Sequence, residues 1–308
     1  LGCGEAAIFY EEAGRALLQS PHLSTVTQSG QAILTFGTEE QKGNFLPKIA
    51  EGEITIAFAL TEPEAGSNVS MLTTSATPEG KDFILRGTKM FISYAHLADL
   101  IMTITKCSRS NSDIAIFLVD GKNRRLSYIP MNTLSGDNLS QITYNGVRVS
   151  RENMLSEFTD RSEVDEIMDK SSLMSCAELL GIGEAVFEMA VEYAKERVQF
   201  DVPIGSFESI QNKVADMTLL LDGTKCLVYY VAWLNDNQVL CHKETAMTIL
   251  QTCEALRYVA PEAIQIHGGY GAMADHDVSL YFRRAKRIEL SLGYPHEHTE
   301  TICTSLGL

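Results

Sequence analysis

Apolar positions recur at helical spacing near the start of the chain, then shift to short strand-like runs, then return to helical spacing up to the end. Glu5 to Gln19 carries Ala7, Ile8, Ala13 and Leu17 at intervals of three to four, and Thr38 to Glu51 is similar. Thr38 followed by Gln41 fits a capping box, in which the threonine oxygen accepts an unpaired N–H and the glutamine reaches back. The period changes near Glu53. Ile54 to Leu60, Asp82 to Arg86, Leu100 to Thr105, Ile114 to Val119 and Ile142 to Val149 are rich in β-branched and aromatic residues. Asp120-Gly121 and Asn145-Gly146 are among the turn signals between them. From about Glu163 the helical period resumes in Met174 to Arg197, Glu208 to Leu234, Lys243 to Ile266 and Val278 to Leu292. Gly268-Gly269 separates the last two, and residues 156–166 are the most linker-like stretch.

This order predicts a mostly α protein with a central β domain. The expected zones are N-terminal helices over 1–52, a middle antiparallel β domain over 53–160 and a four-helix bundle over 161–308. No internal repeat or low-complexity segment interrupts them.

Three segments carry candidate chemistry. Phe58 to Asn68, FALTEPEAGSN, runs a buried strand into a turn with small hydroxyls, free N–H groups and a glycine. Such a loop can donate to the edge of a planar heterocycle, although an ordinary strand exit fits equally well. Gln265 to Gly271, QIHGGYG, lets a backbone come close to a bulky ligand or another subunit; alone it also reads as a glycine-stopped helix. No strand precedes it, so it is not a dinucleotide-binding fingerprint. Gly87 to Ser93, GTKMFIS, puts Phe91 and Ser93 on one face of a strand, to cover and bond a ring or simply to pack.

Composition narrows the partners. At 308 residues with 45% hydrophobic and 21% charged positions, the chain has the make-up of a soluble globular protein. The formal net charge of -15 argues against a general nucleic-acid binder, while leaving room for a small anion held by local donors. No run is apolar enough to span a membrane. Seven scattered cysteines form no CxxC pair, so no metal cluster or disulfide framework is expected, and a reducing compartment fits: cytoplasm, or mitochondrial matrix in a eukaryote. Leu1-Gly2-Cys3-Gly4 lacks an initiator Met and a signal-peptide pattern, which suggests residues missing upstream.

Together the segments resemble the acyl-CoA dehydrogenase family, whose signatures have the forms A-[L/V/T]-T-E-P-x-A-G-S and Q-x-x-G-G-x-G. Between them Glu196-Arg197, Phe200 and Ile204 match the family's ER-x-x-F…I segment, and the likeness runs from about Gly4 to the last residues, with the family's first helices absent. The resemblance implies FAD as cofactor. It assigns Phe58, Leu60 and Thr61 to the flavin side and Phe91 and Ser93 to flanking the isoalloxazine. Ser67 falls to the thioester ligand. Arg197, Phe200, Gln265, Gly268 and Gly269 fall to the FAD pyrophosphate and adenosine across a subunit interface. It further implies an acyl-CoA substrate, an electron-transfer flavoprotein as acceptor, and a homodimer, tetramer or pairing with a related subunit.

The pattern breaks at the catalytic base. The reaction needs a carboxylate to take the acyl α-proton while hydride leaves the β-carbon. Gap-free alignment brings the usual Y-E-G-T glutamate to Leu292, and the alternative position, at the start of the first long bundle helix, to Ser171 with Ser172 after it. Glu178 lies about two turns beyond Ser171 and is the replacement candidate; Glu289 and Asp169 are weaker ones. A non-catalytic subunit completing a partner's FAD site, and a flavin oxidase or monooxygenase, are the alternatives. His296 and His298 lie about 200° apart on one helix and cannot share a metal from it.

Overall fold

The computed structural model describes residues 2–107, 114–159 and 161–308. They divide into two compact units, Gln19–Ser171 and Leu1–Leu18 with Ser172–Leu308. The three zones of the sequence are thus partitioned differently: the first helix belongs with the C-terminal helices, and the remainder of the first zone with the sheet.

In the unit Gln19–Ser171, a π-helix at Leu23–Gly30 leads into α2 (Gln31–Phe36), and α3 (Glu39–Ala50) follows. Neither of the first two elements shows an apolar period in LSTVTQSGQAILTF, which is why the sequence does not announce them. The Thr38 capping box of α3 forms: Gln41 N donates to Thr38 Oγ1 at 3.2 Å and Thr38 N to Gln41 Oε1 at 2.9 Å. Gln41 also donates to the carbonyls of Glu152 and Met154, tying α3 to the end of the sheet.

Among the described residues the sheet has eight strands: β1 (Ile56–Ala59), β2 (Ser75–Glu79), β3 (Asp82–Ser93), β4 (Leu100–Cys107), β5 (Ile114–Asp120), β6 (Leu126–Met131), β7 (Leu139–Ser150) and β8 (Met154–Thr159). The order is β6-β7-β3-β2-β4-β5-β8, with β1 on β4; pairing is antiparallel except that β1 and β2 run parallel to β4. Side chains on β5 alternate between two apolar layers. Ala115, Phe117 and Val119 join Phe83, Leu85 and Tyr144, whereas Ile116 and Leu118 join Ile33, Ile56 and Met102. Burial of both faces explains why these strands read as continuous apolar runs.

The linker expected over 156–166 is corrected: β8 continues to Thr159 by pairing with β5, and α4 (Arg161–Glu196) begins at Arg161; Asp160 lies outside the described residues. The helix starts well before Met174. Val164 and Ile167 are buried in the sheet's apolar layer, but the charges at Glu163, Asp165, Glu166, Asp169 and Lys170 dilute the period.

In the other unit, α1 (Cys3–Arg15) ends four residues earlier than expected. Leu17 adopts a left-handed φ of 48°, and Leu18 N caps the Ala13 carbonyl. A leucine in the position glycine usually fills leaves no stop signal in the sequence. The four expected helices correspond to α4, α5 (Glu208–Asp236), α6 (His242–His267) and α7 (Asp277–Ser291), and α8 (Pro295–Ser305) follows over His296 and His298. A two-residue hairpin, β9 (Val198–Gln199) with β10 (Val202–Pro203), joins α4 to α5. Helices α1 and α4 touch through backbone at Gly14 and Gly181, where any Cβ would run into the carbonyls of Glu178 and Glu11. Beside this crossing, Glu11 receives Lys225 at 2.9 Å and Tyr229 at 2.6 Å, and Lys225 also reaches Glu184. No described helix is long and apolar enough to cross a membrane.

Candidate functional site

In the sheet unit, β1 delivers the chain into Leu60-Thr61-Glu62. Glu62 and Gly66 exchange backbone hydrogen bonds at 2.8 and 3.0 Å, closing a small loop that Gly66 permits with φ +55°. The loop brings together two residues the sequence singled out: Thr61 Oγ1 and Ser67 Oγ are 3.0 Å apart.

A buried ion pair fixes this loop. Lys89 Nζ, from β3, donates to Glu62 Oε1 at 2.8 Å and to the Leu60 carbonyl at 2.9 Å, with both charged side chains fully buried. Glu62 is further bonded by Thr73 N, Thr73 Oγ1 and Thr74 N at 2.6–3.0 Å. Next along β3, Met90 N donates to the Thr61 carbonyl at 2.9 Å. Burial alone would raise the Glu62 pKa, but Lys89 and the threonine donors outweigh it and bring it down to about 2. Burial lowers Lys89 to about 8 despite Glu62. The sequence reading missed this pair, although a lysine inside an apolar strand and a glutamate after a buried one were visible signals.

Two assignments change here. Phe58 and Leu60 are 8% and 3% exposed and sit in the apolar core with Ile33 and Met102, so their side chains pack the sheet rather than face a ligand. Phe91 falls at a bulge in β3, whereas Ser93 is back in register, paired with Leu139. The β3–β7 register slips between Lys89 and Ile92, and Phe91 takes φ +58° and is 55% exposed, while Ile92 is buried. Simple alternation could not anticipate a bulge.

In the helical unit, an open cleft of about 430 Å³ lies at the ends of α4 and α6. Arg197, Gly268 and Gly269, distant in sequence, line it together with Tyr193, His267 and Tyr270. Gly268 ends α6 with φ +60°, and a Cβ on either glycine would meet open space, so the backbone is reachable from the cleft. No Asp or Glu lines the cleft, and Arg197 brings to it a guanidinium of the kind that grips phosphate. Buried His267 stacks on Tyr193 at 4.6 Å, and its Nδ1 lies 2.7 Å from the Ala263 carbonyl; burial lowers its pKa. Neither Tyr193 nor His267 was given a role from sequence. Gln265 is exposed and outside the cleft lining.

Phe200 also stands apart, 89% exposed at the tip of the β9–β10 hairpin against Phe207. Phe200 and Asp201 both have positive φ, 53° and 63°, which a two-residue hairpin turn requires and which glycine fills without strain. Asp201→Gly is expected to stabilise the chain by about 1 kcal/mol; a thermal midpoint that stays level or falls would contradict this strain.

At the positions expected for a base, Leu292 is buried at the end of α7, its carbonyl 2.7 Å from His298 Nε2. Ser171 is buried and accepts from Gln28 Nε2 at 2.8 Å. Both oxygens of Glu289 are engaged, by Arg257 Nε at 2.7 Å and Lys286 Nζ at 2.6 Å, marking a structural ion pair. Glu178 is half-buried on α4, and Asp169 lies on the same helix. His296 is exposed in the first turn of α8, stacked on Tyr294. Among the described residues no three His, Cys, Asp or Glu side chains group to hold a metal ion.

Three family models match in succession: the acyl-CoA dehydrogenase N-terminal domain over residues 1–53, the middle domain over 57–147 and the C-terminal domain over 164–305. A 3-(aryl)acrylate reductase of Clostridium sporogenes is 34% identical over 90% of this chain and 75% of its own length. A subunit of the caffeyl-CoA reductase–Etf complex of Acetobacterium woodii is 35% identical over 83% of this chain and 69% of its own. The crystal structure of butyryl-CoA dehydrogenase from Megasphaera elsdenii superposes with a TM-score of 0.89 at 29% identity, covering 98% of this chain and 80% of that one. With all three family regions present in order, the chain belongs to the acyl-CoA dehydrogenase family of FAD flavoproteins.

Proposed function

We propose that this chain is an FAD-dependent acyl-CoA dehydrogenase converting an acyl-CoA to its 2-enoyl thioester, working in an oligomer and passing electrons to an electron-transfer flavoprotein. The observation that carries this reading is the acid-free cleft in which Arg197 meets the bare backbone of Gly268 and Gly269. FAD, when bound, supplies the hydride acceptor. Arg197, the glycine N–H groups, Phe200 and Gln265 would hold the pyrophosphate and adenosine of the FAD bound by a neighbouring copy. Thr61, Phe91 and Ser93 would flank the ring, and Ser67 would meet the thioester ligand. The Lys89–Glu62 pair keeps Thr61 in place from behind.

The relatives, named as reductases and a dehydrogenase, favour neither the silent-subunit nor the oxygenase alternative. Saturating the purified chain with FAD, removing excess and assaying acyl-CoA-dependent reduction of an artificial acceptor tests the proposal. A chain that retains no flavin would overturn it.

With Leu292 and Ser171 unable to act as carboxylate bases and Glu289 held by two cations, we assign proton abstraction to Glu178. Glu178→Gln is expected to lower turnover by about 10²–10⁴-fold with flavin content unchanged. Full retained turnover would remove Glu178 from this role.

A further inference from the structure

The cleft at the ends of α4 and α6 is lined by two kinds of chemistry. Arg197 and the open backbone of Gly268 and Gly269 suit a phosphate, whereas Ile204, Tyr270 and Met273 bring apolar and aromatic surface. A nucleotide combines both needs, since its phosphates take donors and its base takes a flat ring to stack on.

Tyr270 is the ring in that lining with a face to spare. It is 55% exposed, within the short 3₁₀ turn Gly268–Ala272 that follows α6. The cleft's other two rings, Tyr193 and His267, are stacked on each other at 4.6 Å. Among the described residues Tyr270 has neither a ring partner nor a hydrogen bond to its hydroxyl. Its backbone is nonetheless fixed. Met273 N donates to the Tyr270 carbonyl at 3.1 Å, and Gly271 presses so close to α6 that a Cβ there would lie 2.5 Å from the Ile264 carbonyl oxygen. A ring carried on a rigid turn loses little further freedom when a ligand covers it, which favours binding. We propose that Tyr270 stacks on the adenine of the FAD whose pyrophosphate meets Arg197 and the glycines, and is the residue by which the cleft selects a dinucleotide with an aromatic base. This rests on the reading of the cleft as part of an FAD site and adds to it the element that recognises the base. Stacking uses the face of the ring, so the aromatic ring is required and the hydroxyl is dispensable.

The test uses the full chain depleted of flavin and two ligands: FAD, and the same molecule without its adenine, riboflavin joined through pyrophosphate to ribose. Dissociation constants are read by equilibrium dialysis. The wild-type chain is expected to bind FAD about 10–100-fold more tightly than the base-less molecule, the worth of one stacked base. Tyr270→Ala should remove most of that preference by weakening FAD alone, and Tyr270→Phe should keep it. Arg197→Ala should weaken both ligands by a similar factor, because both carry the pyrophosphate. Equal affinity of the wild-type chain for the two ligands, or a preference intact in Tyr270→Ala, overturns the assignment alone. So does a Tyr270→Ala chain that loses both ligands equally or runs as a smaller assembly on a sizing column, since the ring would then serve the fold or the contact between copies. Binding of neither ligand by the wild-type chain overturns the FAD reading and this assignment with it.

Discussion

Lys89→Met is expected to destabilise the sheet unit by about 3–5 kcal/mol, because it strands the buried Glu62 carboxylate without its counter-charge. Methionine matches the length of the lysine stem but has nothing to donate. The Leu60 carbonyl loses its bond in the same step, so the strand leading into Thr61 is released on one side while Met90 N still holds it on the other. Flavin content after saturation should therefore fall along with the urea midpoint. The double variant Lys89→Met, Glu62→Leu should recover a large part of the loss, since burying two apolar groups costs less than burying one unpaired charge. A single variant with unchanged midpoint and flavin content would show that the pair does not fix the loop.

The same pair sets an acid limit. The folded-state pKa of Glu62 lies near 2, below its ordinary value of 4.5, so its contribution is fully present above about pH 4.5. It drains as the pH falls from there toward 2, because the unfolded chain takes up the proton first. Glu62→Gln should flatten the acid limb of stability measured against pH.

Gly181→Ala is expected to be the most damaging single methyl in the helical unit. The added carbon would collide with the Glu11 carbonyl oxygen, and the obstacle is backbone that cannot rotate away. Helix α1 must lift from α4, at a cost of about 3 kcal/mol or more. The lift also pulls Glu11 from Lys225 and Tyr229, the partners that hold its pKa down although burial would raise it. Gly223→Ala on α5 is the matched control. Its nearest neighbour is the flexible Gln251 amide at 3.9 Å, so alanine should be neutral or stabilise the helix by up to about 1 kcal/mol. Thermal midpoints that drop equally in the two variants would refute the close crossing as the cause.

Much of the architecture follows from local patterning. The long apolar periods of α5 and α6, the β-branched runs of β4 and β5 and the Thr38–Gln41 capping box are properties of neighbouring residues, so they survive reading one segment at a time. The glycines of the two signatures were equally legible, because a residue without a Cβ marks where backbone must turn or be approached.

What the sequence could not decide depends on partners far along the chain. The end of α1 at a left-handed Leu17, the bulge that turns Phe91 outward and the pairing that makes a strand of 154–159 are each set by packing or by a neighbouring strand. The sequence by itself determined the order of helix, sheet and helix and the sites where backbone is laid bare, since these rest on spacing and on residue type. Only the tertiary structure decided that Lys89 meets Glu62, that Gln28 meets Ser171 and that Arg197 shares a cleft with Gly268. The reason is that a hydrogen bond or ion pair is fixed by distance in space, and residues 27, 143 and 71 positions apart carry no local mark of one another.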